Sequence, residues 1–301
     1  MSEPGRPWRL RAGDTVALVA PAGPVPADRL AIAVSALESW GLRVERYGTV
    51  HARHPRLGYL AGTDAERAGD FRDAWLDPRV AAVLAARGGY GCQRMLDLLD
   101  WVELRSAGPK LFAGSSDTTA LHDAVGVHLG LPTLFCPMPA TSYFDAAAAE
   151  HLRTTLLDRP GPRELRCPGA STLVPGRATG RTVGGNLSLL AAGIGTREQR
   201  QARGAIAVLE DIGEDLYRLD RMLTQLSRSG WFDGVAGIAL GSWPGCGRPE
   251  SVRDLLLERL GPLGVPMVWQ LGFGHQAASL TIPLGVPAEL DADAATLLVP
   301  A

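Results

Sequence analysis

Residues 110–122 read KLFAGSSDTTALH, and this stretch decides the fold. Its first part, 110–113, is short and mostly apolar, which predicts a buried β-strand, and a helical pattern begins near Thr118. Between them, residues 114–117 (GSSD) predict a sharp turn that leads from the strand into the helix. Strand, turn and helix in this order are the repeating unit of parallel sheets flanked by helices.

The same unit recurs through the N-terminal half of the chain. Apolar runs predict strands at 15–20, 42–47 and 80–86, and helical spacing predicts helices at 27–40, 64–76 and 93–99. Strands that are apolar along their whole length fit a sheet buried on both faces. We therefore predict an N-terminal α/β domain over residues 1–143, in which helices flank a parallel sheet.

The C-terminal half has shorter strands and a different pattern. Residues 144–177 are rich in proline and glycine beyond an initial helix, which predicts a linker or crossover. Strands are then predicted at 205–209, 235–240, 267–271, 278–282 and 296–299, with helices at 216–228 and 251–260. We expect a smaller C-terminal α/β domain with a mixed sheet over residues 178–301.

Composition and charge exclude several classes of protein. The 301 residues include 30 Lys and Arg against 32 Asp and Glu, so no basic excess points to a nucleic-acid polymer or a membrane surface as partner. Two stretches without charged residues, 124–144 and 260–288, are interrupted by prolines and predict no membrane-spanning helix. Four widely spaced cysteines indicate reduced thiols, and we expect a cytoplasmic protein without a metal centre.

The turn after the 110–113 strand is the best candidate for a nucleophile. It would lift a serine to an exposed corner at a helix N-terminus, where backbone N–H groups can stabilise an oxyanion. The pattern is similar to the G-x-S-x-G elbow, although Thr118 replaces the second glycine. The alternative is helix capping, because Ser and Asp are favoured N-cap residues.

Two further features supply the partners of a nucleophile. Glu210 and Asp211 end an apolar strand, with one side chain expected on each face; the alternative is a solvated strand end. His275 follows Gly274 after another strand and suits a general base, unless it is structural or solvated. Ser116, Glu210 and His275 together form a complete set for acyl transfer.

Two glycine-rich turns complete the candidate site. The sequence RGGYG at 87–91 follows a strand and either supplies backbone N–H donors near the nucleophile or is a plain turn. The sequence GGNLS at 184–188 suits a loop before a helix, where Asn186 either lines a substrate site or caps the helix.

Seven motifs, taken in order, resemble the LD-carboxypeptidases. These serine peptidases include the murein tetrapeptide carboxypeptidases and the microcin C immunity peptidases. The motifs are VAPAG at 19–23, RGGYG at 87–91, GSSDTTAL at 114–121, GGNL at 184–187, LEDIGE at 209–214, YRLDRML at 217–223 and GH at 274–275. Ser115 departs from the pattern, since relatives often carry an aromatic residue there.

The resemblance implies a Ser116–Glu210–His275 triad between two α/β domains, commonly in a homodimer and without a cofactor. The backbone N–H of Asp117 and one from Gly88 or Gly89 would then hold the oxyanion. Substrate-binding candidates are Arg87 and Arg181, for a terminal carboxylate, and Asn186.

The family substrate is a cytoplasmic murein tetrapeptide, cut between an L-diamino acid and the terminal D-Ala for cell-wall recycling. The alternative within the family is hydrolysis of microcin C-like peptidyl or aminoacyl nucleotides. That reaction would favour an aromatic residue before Gly184, and residues 176–183 contain none. From other classes, a non-catalytic α/β ligand-binding protein and an α/β-hydrolase esterase also stay open.

Overall fold

The computed structural model describes residues 9–158 and 161–299. In chain order the strands are β1 (Thr15–Val19), β2 (Arg43–Arg46), β3 (Val80–Ala85), β4 (Leu111–Gly114), β5 (Thr133–Phe135), β6 (Arg163–Leu165), β7 (Ser171–Val174), β8 (Arg177–Asn186), β9 (Ala205–Glu210), β10 (Gly237–Leu240), β11 (Met267–Trp269), β12 (Ile282–Leu284), β13 (Pro287–Asp291) and β14 (Thr296–Val299). The helices are α1 (Ala27–Ser39), α2 (Asp64–Leu76), α3 (Cys92–Met95), α4 (Trp101–Ser106), α5 (Thr119–Ala124), α6 (Ala146–Leu157), α7 (Leu187–Ala192), α8 (Leu216–Arg228) and α9 (Pro249–Leu260).

The first sheet has the strand order β12-β5-β4-β3-β1-β2. Strands β1 to β5 run parallel, and β12 joins the edge antiparallel to β5. The central strands β1, β3 and β4 are almost fully buried, as expected for a parallel sheet covered on both faces. The carboxyl end of β4 leads directly into the turn that carries Ser116.

The second sheet has the order β6-β14-β13-β8-β9-β10-β11-β7. Strands β8 to β11 are parallel, whereas β13, β14, β6 and β7 add antiparallel pairs at the two sides. The predicted α/β class, with a mainly parallel first sheet and a mixed second sheet, is therefore confirmed.

The path of the chain differs from the prediction in two places. The predicted linker, residues 144–177, holds helix α6 and strands β6 and β7, which lie at opposite edges of the second sheet. The chain also returns to the first sheet through β12, later in sequence than the predicted strand at 278–282. Strands β6, β7 and β12 are short, and each pairs with a strand that is distant in sequence, so local sequence patterns predict them poorly.

Helix starts follow their capping residues. Thr63 and Glu66 form a reciprocal capping box at the start of α2. Asp145 caps α6 through the Ala148 N–H and also accepts from the Ala278 N–H at 2.8 Å, which ties α6 to the segment before β12. Within the described ranges, no helix has both the length and the apolar character needed to cross a bilayer. All four cysteines are free thiols.

Candidate active site

Ser116 lies at the tip of the turn between β4 and α5. Its φ angle is +59°, in the left-handed region that residues other than glycine rarely adopt. Holding a serine there costs about 1–2 kcal/mol, the kind of backbone strain found at nucleophile elbows. Ser116 is half-buried, whereas the flanking Ser115 and Asp117 are buried. The turn therefore presents the hydroxyl of Ser116 rather than that of Ser115.

Gly88 allows the chain to approach this serine closely. A Cβ atom at Gly88 would lie 2.9 Å from Ser116 Cβ and 3.1 Å from Ser116 Oγ. Gly88 and Gly89 line the same cavity as Ser116, with a volume of about 450 Å³. The expectation that the RGGYG turn lies beside the candidate nucleophile is thus met in space.

Asp117 has a different role from the helix cap considered above. Its buried carboxylate accepts the Cys92 backbone N–H at 2.8 Å, which fixes the start of α3 against the Ser116 turn. Burial raises the pKa of Asp117, and the hydrogen bonds from Cys92 oppose that rise. The capping alternative is wrong for the two residues beside Ser116, because neither side chain caps this turn in the described part of the chain.

The side chain of Arg67 also holds the loop that leads into α3. Its guanidinium is fully buried and donates from Nη1 to the Gly91 carbonyl at 2.7 Å and the Pro21 carbonyl at 2.5 Å. A buried guanidinium needs hydrogen-bond acceptors of this kind, so Arg67 stabilises one arrangement of the loops that contain Pro21 and Gly91.

Glu210 and His275 form an ion-pair geometry at the edge of the cavity. Glu210 Oε2 lies 2.6 Å from His275 Nδ1, and the Glu210 side chain is fully buried. Burial opposes protonation of His275, but the charge and hydrogen bond of Glu210, aided by the charge of Asp211, raise the pKa of His275 above its ordinary value. With Nδ1–H donated to the carboxylate, Nε2 is the nitrogen free to accept a proton.

The expectation that Glu210 and Asp211 point to opposite faces is wrong. The Asn186 amide nitrogen lies 3.2 Å from Glu210 Oε1 and 2.9 Å from Asp211 Oδ1, so both carboxylates converge on one donor. Strand β9 ends at Glu210, and the chain turns as the Ile212 N–H donates to Asp211. The alternation of a strand therefore stops before Asp211.

Hydrogen bonds from Ser188 hold the Asp211 carboxylate in this arrangement. The carboxylate accepts the N–H and the hydroxyl of Ser188, at 2.9 and 2.6 Å. Burial, reinforced by the charge of Glu210, raises the pKa of Asp211 to about 6, although the hydrogen bonds from Ser188, Ile212 and Asn186 oppose the rise. Since both carboxylates are almost completely buried, the alternative of a solvated strand end is wrong.

Two of the predicted substrate-binding residues lie elsewhere. Asn186 is buried, caps α7 through the Leu189 N–H, and holds the two carboxylates, so it faces away from the cavity lining. Arg181 lies on β8 opposite Pro287 and donates to the Gly285 carbonyl at 2.7 Å. The prediction placed residues 184–188 in a loop before a helix. Arg181 and Asn186 instead both lie on the ten-residue strand β8, which runs from the exposed Arg181 to the buried Asn186.

Arg87 lies where the prediction placed it. It lines the cavity with Ser116 and donates from Nη1 to the Pro24 carbonyl at 2.7 Å. Arg29 on α1 and Tyr143 before α6 also line the cavity, and the sequence analysis missed both. The Tyr143 ring is perpendicular to the His275 ring, with centroids 5.6 Å apart. Neither Arg29 nor Tyr143 belongs to a motif, and only the fold brings them to the cavity.

Ser116 and His275 line one cavity from the two halves of the chain. Among the hydrogen bonds of the described residues, none joins the Ser116 hydroxyl to His275. Such bonds often tighten only when substrate is present. A carboxylate-paired imidazole that shares a cavity with a half-buried, strained serine is an arrangement that can transfer an acyl group. In the described ranges, no cluster of three His, Cys, Asp or Glu side chains could hold a metal ion.

Family models match both halves of the chain. The LD-carboxypeptidase N-terminal domain matches residues 16–136, and the LD-carboxypeptidase C-terminal domain matches residues 179–290. The first match contains Ser116, and the second contains Glu210 and His275.

Curated relatives extend along nearly the whole chain. A Streptomyces coelicolor protein named as a carboxypeptidase is 55% identical and covers 99% of this chain and 96% of its own. The murein tetrapeptide carboxypeptidase of Pseudomonas aeruginosa is 34% identical over 92% of each chain. The microcin C7 self-immunity protein of Escherichia coli is 25% identical over 78% of each.

Solved structures agree with these relatives. The muramoyltetrapeptide carboxypeptidase of Oxalobacter formigenes superposes with a TM-score of 0.80 at 30% identity, and the match covers 95% of this chain and 97% of that one. Domain models over both halves and relatives above 30% identity along the full length lead to one conclusion: this chain belongs to the LD-carboxypeptidase family of serine peptidases.

Proposed function

We propose that this peptidase removes the terminal D-Ala from murein tetrapeptide, cutting its bond to the L-diamino acid through a Ser116–Glu210–His275 triad. The observation that carries the proposal is the Glu210–His275 pair, 2.6 Å apart, which opens on the same cavity as the strained Ser116. The named activity of the 34% identical relative from Pseudomonas aeruginosa supports this substrate class.

In the first half of the reaction, His275 Nε2 takes the proton of the Ser116 hydroxyl as Oγ bonds to the scissile carbonyl carbon. Glu210 holds the imidazole in the required tautomer and stabilises the imidazolium that forms. His275 then gives the proton to the amide nitrogen, the C–N bond breaks, and D-Ala leaves as an amine. The tripeptide stays attached to Ser116 as an ester.

In the second half, water replaces the amine. His275 takes a proton from water as its oxygen bonds to the ester carbon. The bond to Ser116 then breaks, the proton returns to Oγ, and the tripeptide leaves with a new carboxylate. His275 thus acts first as base and then as acid in both halves.

The oxyanion of each tetrahedral intermediate needs donors near Ser116. The backbone N–H of Asp117 follows the proposed nucleophile directly, and Gly88 and Gly89 line the cavity beside Ser116. We assign the oxyanion to the Asp117 N–H and one of the two glycine N–H groups. A donor of this kind typically contributes about 10²–10³ to the rate.

The free carboxylate of the substrate needs a cation, and Arg29 and Arg87 are the arginines that line the cavity. Arg87 is partly committed to Pro24, whereas no hydrogen bond or ion pair engages the Arg29 side chain within the described residues. We therefore assign recognition of the terminal carboxylate to Arg29. Arg181 has no part in this assignment, because its side chain binds Gly285 outside the cavity.

Mass spectrometry of murein tetrapeptide after incubation with the wild type and with Ser116→Ala tests the proposal. Loss of one D-Ala with the wild type alone is the expected result. Cleavage by both proteins would overturn the nucleophile, and cleavage by neither would overturn the substrate. A parallel incubation with an aminoacyl sulfamoyl nucleotide would then reveal the microcin-type reaction.

The setting of the reaction is part of the same proposal. We place it in the cytoplasm, where released murein peptides are recycled, and we expect a homodimer, as the family resemblance implies. Light scattering of the purified protein would give a mass near twice that of the 31.9 kDa chain. A monomer that retains full activity would overturn the homodimer.

A further inference from the structure

A second cavity, of about 560 Å³, adjoins the catalytic one. Its walls are the rings of Tyr59 and Tyr90 and the guanidinium of Arg53, and we call it the tyrosine groove. Arg87 and Gly89 line both cavities, so the groove begins where the catalytic cavity ends. The two spaces form one continuous surface on either side of the RGGYG turn.

The groove presents aromatic surface that nothing else in the described chain uses. Tyr59 is 52% exposed and Tyr90 is 50% exposed, and their rings pack edge to face with centroids 5.9 Å apart. Two tyrosines held against each other lose little freedom when a ligand binds. Their exposure beside a catalytic cavity is typical of a recognition surface.

Glycines join the two loops that line the groove. Gly23 donates its N–H to the Gly88 carbonyl at 3.0 Å, and a Cβ atom at Gly23 would lie 2.9 Å from that oxygen. A Cβ atom at Gly89 would lie 3.3 Å from the Gly23 Cα. The two loops therefore pack backbone against backbone, which fixes the position of Tyr90 and Arg87 beside the groove.

The charge of the groove selects an acidic ligand. Arg53 is positioned by its Nη1 bond to the Gly58 carbonyl at 3.0 Å, and Arg87 lines the same groove. The lining contains no carboxylate, and neither arginine has an acidic partner within the described residues. Two unpaired guanidiniums beside aromatic rings suit a peptide that carries carboxylates.

We propose that the tyrosine groove binds the acidic peptide on the amino-terminal side of the scissile bond, between the Tyr59–Tyr90 wall and Arg53. This inference rests on the proposed function. A carboxypeptidase releases one residue, so nearly all of its substrate lies on the acyl side and needs a surface that continues from the catalytic cavity.

Two substrates with the same scissile bond distinguish an effect on peptide binding in the groove from an effect on the chemical step. One is the tetrapeptide L-Ala-γ-D-Glu-L-diamino acid-D-Ala, and the other is the acetylated dipeptide L-diamino acid-D-Ala, which ends before the groove. We expect Tyr59→Ala and Arg53→Gln to lower kcat/KM for the tetrapeptide about tenfold, through KM, and to change the dipeptide value by less than about twofold.

Control substrates and variants sharpen the result. Tyr217→Ala removes a tyrosine that is 56% exposed outside the groove, and it should leave both substrates unaffected. Conversion of the γ-D-Glu carboxylate to an amide should weaken the wild type but not Arg53→Gln. Equal losses on both substrates, or wild-type values on both, would overturn the groove.

A binding measurement keeps the groove testable if the proposed function fails. Calorimetry would titrate the tripeptide L-Ala-γ-D-Glu-L-diamino acid into Ser116→Ala, with and without Tyr59→Ala. Binding that depends on Tyr59 without tetrapeptide cleavage by the wild type would retain the groove and reject the proposed reaction. Cleavage of the tetrapeptide that depends on Ser116 but not on Tyr59 or Arg53 would retain the proposed reaction and reject the groove. If the tetrapeptide is not cleaved and the tripeptide does not bind, the proposed reaction and the groove are both rejected.

Discussion

Thr119 Oγ1 accepts the backbone N–H of Asn186 at 3.0 Å, inside a buried contact between the two sheets. Thr119 begins the helix that follows Ser116, and the Asn186 side chain donates to Glu210. The contact is close because Gly185 has no side chain; a Cβ there would lie 2.6 Å from Thr119 Oγ1. This single hydrogen bond therefore links the proposed nucleophile to its proposed acid–base pair.

Replacing Thr119 with valine keeps the shape but leaves the Asn186 N–H unpaired in a buried place. We expect a loss of about 1–3 kcal/mol in the free energy of unfolding. We also expect kcat to fall more than KM rises, because misalignment of the two halves affects the chemical step. Thr155→Val is the matched control: its buried hydroxyl donates to the His151 carbonyl away from the cavity. An unchanged kcat in Thr119→Val would contradict the link.

Ser116→Gly should stabilise the protein while it removes activity. Glycine adopts a φ of +59° without the strain that serine carries, so we expect a gain of about 1 kcal/mol in urea unfolding. Ser116→Ala is the comparison, since alanine keeps the strain and also lacks the hydroxyl. Both variants should lose activity by about 10⁴-fold or more. Equal stabilities of the two variants would show that the turn is not strained.

Gly88→Ala should impair catalysis with little effect on folding. The added methyl group would lie 2.9 Å from Ser116 Cβ and 3.1 Å from Met138 Cε, so either the nucleophile or the oxyanion wall must shift. We expect kcat to fall about 10²-fold, as for loss of one oxyanion donor. Gly69→Ala, in α2 with no atom near the added methyl, should keep full activity and gain about 1 kcal/mol of stability.

Glu210→Gln should change both the rate and its pH dependence. The base form of His275 is neutral, so activity falls as the pH drops below the pKa of His275. Glu210 helps to raise that pKa, and its replacement by an amide should therefore move the acid limb of kcat/KM to lower pH. We also expect kcat to fall about 10⁴-fold, as when a triad carboxylate becomes an amide. An acid limb that stays in place would show that another group controls it.

The residues of the candidate site could be predicted because each follows a locally encoded feature. Ser116 lies between an apolar strand and a helix, Glu210 is the last residue of an apolar strand, and His275 lies in the segment that follows β11. Residues that follow the carboxyl ends of parallel strands face the crevice in which open α/β sheets bind their ligands. Periodicity thus marked these positions as candidates, and the family resemblance selected Ser116, Glu210 and His275 among them.

What could not be predicted depends on contacts between distant segments. Arg29 reaches the cavity from helix α1 and Tyr143 from the turn before α6, and neither stretch carries a motif. Asn186 has the sequence neighbours of a loop residue, but it is buried at the end of strand β8. The convergence of Glu210 and Asp211 on one amide needs the turn at Ile212, which a strand pattern does not encode.

Strand β12 determines when the first sheet can be completed during translation. It pairs with β5, yet in sequence it comes after strands β6 to β11 and after both Glu210 and His275. On the ribosome, the first sheet can form β1 to β5 early but must wait with an open edge until Ile282–Leu284 emerges. The proposed nucleophile and its proposed base thus come together only after most of residues 1–284 have been made, so we expect a nascent chain that ends before β12 to have an unfinished first sheet and no hydrolytic activity.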